Sequence, residues 1–304
     1  MDGSALTSVL AVTAARHSHA FQIAAASAAV LSFVPLAASS RPRRARTRDA
    51  RLLAIGIVAA AIGAAALPMM LRLPAAIATR SFAPLQIGDR MAIGALIGFA
   101  LAVAGAARLR GLSPARALDR LAAPMGALVA VGRVGCFLEG CDFGVTTRVP
   151  WAVTYPAGSH AFEAQLAHGL VRAADASARP VHPTQLYESL VGAFMIAAAL
   201  IVSRAQAKRS SRASSATDGS RKDGWPLAEG AAFRATIAIY AAGRIFVEAL
   251  RGDDRGALGP LSTPQWMALA LLAWAASGLL SGRSQTASRS HEDHGSRPSS
   301  AVAK

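Results

Sequence analysis

Apolar stretches of about 17 to 22 residues with few or no charges recur along this 304-residue chain, and they constrain its fold more than any single motif does. An α-helix rises 1.5 Å per residue, so such a stretch matches the roughly 30 Å of hydrocarbon in a bilayer. Seven stand out, at 20–38, 52–71, 91–107, 121–138, 185–203, 230–250 and 264–281. In hydrocarbon every backbone polar group has to be bonded within the protein, so these runs predict an all-α, polytopic membrane protein with about seven transmembrane helices. With 53% apolar and only 16% charged residues, the composition leaves too little polar surface for an ordinary soluble domain of this length.

The net charge of +15 lies mainly in the connectors, not on one soluble basic face, which argues against a nucleic-acid partner. Connector 39–51 holds Arg41, Arg43, Arg44, Arg46, Arg48 and Arg51, and the connectors at 108–120 and 204–222 are also basic. The alternate connectors are poorer in cations, so the positive-inside rule predicts an outward N-terminus and an inward C-terminus. Residues 1–281 are expected to form one membrane domain with an outward-facing connector at 141–183, and residues 282–304 a disordered cytoplasmic tail. The polar segment 204–224 is expected to be mobile, because it has little apolar surface to offset the entropy of ordering. The first 19 residues lack the compact charged-then-apolar build of a cleavable signal peptide.

Ionisable residues inside spans are costly, and each is therefore a functional candidate. Residues 132–144, GRVGCFLEGCDFG, end a span with Arg133, two acids and four glycines, a composition that suits a backbone wrapped closely around a ligand or a plain glycine-stopped helix. Residues 182–188, HPTQLYE, open the next span with His182, Gln185, Tyr187 and Glu188 in or near its first turns, and Pro183 suits the helix start. In GRIFVEALRGD at 243–253, Arg244 and Glu248 are four apart on one helix face, either as an ion pair between helices or as a fork for a phosphate oxygen. Gly94-Ala95-Leu96-Ile97-Gly98, flanked by Asp89 and Arg90, reads as a helix-packing stripe of small residues.

These three polar motifs, in this order and spacing, resemble the prolipoprotein diacylglyceryl transferase family, and the resemblance covers nearly the whole chain. It implies a seven-span fold in a bacterial inner membrane, with the N-terminus periplasmic and the C-terminus cytoplasmic. The implied reaction moves the diacylglyceryl group of phosphatidylglycerol to the lipobox cysteine thiol of prolipoproteins and releases glycerol phosphate. Phosphatidylglycerol, prolipoproteins and membrane lipids are the implied partners, and no metal or organic cofactor is implied. Carried over by residue, the resemblance marks Arg133, Arg244, Glu248 and His182 as catalytic, and Gly144, Gln185, Tyr187 and Glu188 as substrate-binding. Guanidinium groups suit a step in which phosphate departs with negative charge.

The chain also departs from the family pattern. Ile93 stands where most relatives carry a His, Cys136 replaces a frequent Asn, Cys141 replaces a frequent Glu, and Phe21 stands where a Tyr is expected. The missing His leaves His182 as the preferred general base, since its unperturbed pKa near 6.5 suits neutral pH. It also motivates two alternatives: a non-catalytic lipid-binding membrane protein, and a lipid transferase with a different acceptor that uses Cys136 or Cys141 covalently. The two cysteines fall short of a usual zinc ligand set and read as inert or disulfide-forming.

Overall fold

The structure, a computed structural model, describes residues 20–39, 41–80, 91–215, 228–252 and 257–278. Expectations about the first 19 residues, Asp89, Arg90, residues 216–224 and the tail at 282–304 lie outside the described residues. Nine helices occur among the described residues. They are α1 (Ala20–Leu31), α2 (Val34–Ala37), α3 (Arg43–Thr79), α4 (Ala92–Arg108), α5 (Pro114–Glu139), α6 (His160–Ala167), α7 (Thr184–Ser215), α8 (Ala231–Glu248) and α9 (263–278). One two-stranded antiparallel ribbon, β1 (Ala257–Leu258) with β2 (Leu261–Ser262), leads into α9.

Each expected span falls on helix. Three helices, Arg43–Thr79, Pro114–Glu139 and Thr184–Lys208, are long and apolar enough to cross a membrane, and Ile23–Ala37 and Ala92–Arg108 are shorter apolar helices. The chain is a mostly helical polytopic membrane protein. Its outer surface fits that solvent, because large side chains such as Leu101, Phe194, Ile201 and Phe246 project outward from the helices. α5 is the central helix and packs along α1, α4, α7 and α8, while α3 packs along α4.

Two boundaries differ most from expectation. α3 begins at Arg43 and so takes in the basic connector, and α7 continues to Ser215 through a segment expected to be mobile. Arg, Ala, Gln and Lys are strong helix formers, so a polar run next to a span extends the helix without needing apolar surface. Gln206 also anchors the extension by donating Nε2 to an Asp119 carboxylate oxygen at 3.0 Å and to the Ala228 carbonyl at 3.3 Å.

Small residues set the α3–α4 spacing, as the glycine stripe predicted. A Cβ on Gly94 would lie 2.3 Å from the Gly63 carbonyl oxygen, and one on Gly98 would lie 2.4 Å from the Ala59 carbonyl oxygen. Asp119 does long-range capping: its carboxylate accepts from the backbone N–H of Gly230 at 2.8 Å and of Phe233 at 2.9 Å, at the start of α8. No side chain local to that helix end caps it. The connector 141–183 packs around its own apolar cluster of Phe143, Val153, Tyr155, Phe162 and Val181, and this holds the glycine-rich end of α5 against the start of α7.

Candidate functional site

The three polar motifs meet at one end of the bundle. α5 supplies Arg133 in its last turns, α7 supplies Glu188 in its second turn, and α8 supplies Arg244 and Glu248. Glu188 lies between the two arginines, with Arg133 Nε 2.7 Å from its Oε2 and Arg244 Nη1 paired with its Oε1. Arg244 Nη2 lies 2.7 Å from Glu248 Oε2, the four-residue pairing expected from the sequence. Side-chain exposure is 4% for Arg244, 5% for Glu188 and 4% for Glu248, so these charges are held out of water by mutual pairing.

Two further members were not singled out as site residues from sequence. Asp142 pairs with Arg133 Nη1 and accepts from Arg251 Nη2 at 2.6 Å, which extends the chain of charges beyond the three motif helices. Asp142 adopts φ +60, a left-handed backbone uncommon outside glycine, and this turns its carboxylate back over the end of α5. Gly140 caps α5 at φ +71, so the chain reverses immediately before Asp142. The glycine stop read from residues 132–144 is therefore present, at Gly140. Arg133, Arg244 and Arg251 face Asp142, Glu188 and Glu248, and the formal charges of the six cancel.

The HPTQLYE residues divide between two tasks. Gln185, fully buried, donates to the Cys141 carbonyl at 2.6 Å and to the Tyr155 hydroxyl at 3.3 Å, and Thr184 donates to the Asp142 carbonyl at 2.6 Å. Burial raises the Tyr155 pKa above the ordinary phenol range, so that hydroxyl stays neutral. These bonds tie the Gly140–Asp142 reversal to α7. Tyr187 and His182 stand apart from the ion pairs: the Tyr187 hydroxyl accepts from Trp151 Nε1 at 2.7 Å and lies 3.2 Å from His182 Nδ1.

Gly144 is pinned between two strands of backbone. Its N–H donates to the His182 carbonyl at 3.0 Å, and a Cβ added there would lie 2.6 Å from His182 Cβ and 2.8 Å from the Leu250 carbonyl oxygen. Gly144→Ala should therefore push HPTQLYE and the end of α8 apart, with a loss at or above the roughly 1–3 kcal/mol typical of overpacking. Thermal unfolding of the detergent-solubilised variant checks this, and a melting temperature equal to that of the parent would refute the close-contact assignment.

The buried polar atoms at the cluster that make no hydrogen bond among the described residues include Arg244 Nε, the Tyr240 hydroxyl and Gln185 Oε1. Tyr240 lies one turn before Arg244 on the same face of α8. A polar aromatic one turn from an intramembrane arginine was a readable signal for it. Ile93 is 3% exposed in an apolar cluster with Leu52, Leu96 and Phe99, so no polar group stands at that position.

Cys136 and Cys141 are free thiols. Their sulfur atoms and an Asp142 carboxylate oxygen lie within 4.8 Å of one another. Asp142 is already paired with two guanidiniums, and three ligands without a histidine fit a zinc site poorly. The Cys141 pKa is raised above the usual thiol range, first by its hydrogen bond with Cys136 and then by burial, which keeps it protonated and a poor nucleophile.

Fold and site together define a class: a helical membrane protein with a charge-neutral cluster of arginines and carboxylates buried at one end of its bundle. The model of the family described as Prolipoprotein diacylglyceryl transferase matches residues 11–281, and the chain belongs to that family. It is similar to a Clostridium tetani protein named phosphatidylglycerol–prolipoprotein diacylglyceryl transferase, at 30% identity over 176 residues, 58% of this chain and 57% of that one. A Clostridium perfringens protein with that name and the number 2 is 27% identical over 179 residues, 59% of this chain and 57% of its own. A Streptomyces coelicolor protein with that name and the number 1 is 30% identical over 178 residues, 59% of this chain and 40% of its own. The chain thus spans little more than half the length of the first two relatives and less than half of the third.

Proposed function

We propose that this protein transfers the diacylglyceryl group of phosphatidylglycerol to the lipobox cysteine thiol of prolipoproteins, at the outward face of a bacterial inner membrane. The observation that carries this reading is the half-buried Arg133 and the buried Arg244 joined through Glu188, beside an unbonded Arg244 Nε and Tyr240 hydroxyl. A phosphate oxygen accepts from both kinds of donor, and buried donors already aimed at it need no reorganisation during reaction. Family membership supplies the reaction class.

In the proposed step the cysteine sulfur attacks the glycerol carbon that bears the phosphate ester. The carbon–sulfur bond forms, the carbon–oxygen bond breaks, and glycerol phosphate leaves with the electron pair. Arg133 and Arg244 stabilise the charge that develops on the departing phosphate, while Glu188 and Glu248 fix their guanidinium planes. Gly144, Gln185 and Tyr187 serve substrate binding from the flanking segments: Gly144 and Gln185 hold the reversal after α5 in place, and Tyr187 lies beside His182. His182 receives the thiol proton, with Tyr187 orienting its ring. Connector 141–183 faces outward from the membrane domain, with residues 282–304 on the cytoplasmic side.

Expression of the full chain in cells depleted of their own transferase tests this reading, and lipoprotein precursors should mature. Failure to mature despite normal membrane insertion would favour the non-catalytic lipid-binding alternative, which the apolar surroundings of Ile93 support. The proposed sidedness has its own measurement. In a background without native cysteines, Arg212→Cys should react with an impermeant maleimide only after cells are permeabilised, and labelling in intact cells would reverse the orientation.

A further inference from the structure

The opposite end of the bundle carries a second charged feature that the transfer reaction does not use. A cavity of about 600 Å³ is lined by Arg43, Arg44, Thr47, Arg48 and Arg51 of α3 and by Arg110 just beyond α4. Among the described residues, no acidic side chain lines it. Asp49, on the same helix, is 1% exposed and is occupied by Arg41 Nη1 at 3.1 Å, Arg48 Nε at 3.6 Å and Arg120 Nη1 at 3.5 Å. Arg120, which pairs with Asp49 next to this cavity, is thirteen residues from Arg133 on α5, about 20 Å along the helix from the ion-pair cluster.

Several like charges at the start of a helix oppose its dipole, and α3 has no acidic residue in its first turn and no side-chain cap. An anion in the cavity relieves both the mutual repulsion and the dipole conflict. The same helix face selects among anions. Arg44, Arg48 and Arg51 continue at helical spacing into Val58 and Ile62, which are 61% and 64% exposed. Guanidinium groups at the top of an apolar stripe match a molecule that carries a phosphate at one end and acyl chains below it.

We propose that this cavity is a binding site for the headgroup of an anionic glycerophospholipid in the leaflet opposite the reaction site, with the acyl chains along Val58 and Ile62. The proposal rests on the membrane reading of the chain but not on its transfer chemistry.

The test places a reporter on the stripe. The full-length Val58→Trp variant is reconstituted in nanodiscs containing phosphatidylcholine and either brominated phosphatidic acid or brominated phosphatidylcholine. Emission of the parent protein's native tryptophans is subtracted. Quenching of the added tryptophan should favour the anionic lipid by at least tenfold per mole. Arg44→Gln with Arg51→Gln should abolish that preference, because two losses of about fivefold each exceed a tenfold preference. Neither arginine belongs to the ion-pair cluster, and an unchanged melting temperature would show that the variant is folded. Phe194→Trp, on exposed α7, should show no such preference. The proposal is overturned if the anionic preference is absent, survives the double substitution or appears equally at residue 194. It also falls if millimolar inorganic phosphate displaces the lipid where chloride of the same ionic strength does not, since the cavity then serves the free anion.

Discussion

Replacing Glu188 with Gln should destabilise the folded protein by about 3–5 kcal/mol, the usual loss when one member of a buried ion-pair network is removed. Glu188 is the shared counter-charge of Arg133 and Arg244, and it connects α7 to both α5 and α8. Without it, the three remaining cluster arginines face only Asp142 and Glu248, so a net positive charge is left inside the bundle. Water cannot screen that charge well, because Arg244 is 4% exposed. The measurement is thermal unfolding of parent and variant in the same detergent. A double variant that also carries Arg244→Gln should recover part of the loss, since it removes a cation together with its partner. If Glu188→Gln melts with the parent, the cluster does not hold these helices together.

Arg133→Lys and Arg244→Lys should each lower transfer activity by about 100-fold or more, the scale seen when one buried donor to a developing negative charge is lost. Lysine keeps the charge but is a point donor. It cannot pair with Glu188 and a phosphate oxygen through the separate edges of one planar group. Arg244 uses Nη1 and Nη2 on carboxylates and has Nε left over, a division no ammonium reproduces. Arg116→Lys makes the control: that side chain is 61% exposed and pairs with an exposed Glu229, so its replacement should change activity little. The measured quantity is diacylglyceryl transfer from labelled phosphatidylglycerol to a lipobox peptide at equal protein levels. Full activity in either lysine variant would remove that arginine from the phosphate site.

Much of the fold and part of the site are legible in the sequence. Apolar run length located a helix at every expected span, because hydrocarbon admits few backbone structures other than helix. The Arg244–Glu248 pair was legible because four-residue spacing fixes side-chain proximity locally. The Gly94–Gly98 stripe was legible because small residues let helix backbones approach, although its partner Gly63 was not.

What the sequence determined by itself, then, was local: which segments are helical, which polar residues enter them, and which neighbours share a helix face. The tertiary structure decided which distant charges meet. Arg244 and Glu188 are 56 residues apart and Arg251 and Asp142 are 109 apart, so no helical period links them. Their meeting depends on α5, α7 and α8 packing at one end and on Asp142 turning back through a left-handed backbone after Gly140. The same packing set Tyr187 against Trp151 and His182 and away from the ion pairs, although Tyr187 and His182 belong to the same short motif as Glu188. The physical reason is that covalent spacing sets neighbours only within a turn or two. Beyond that, burial lets a charge persist only where other elements bring it a partner.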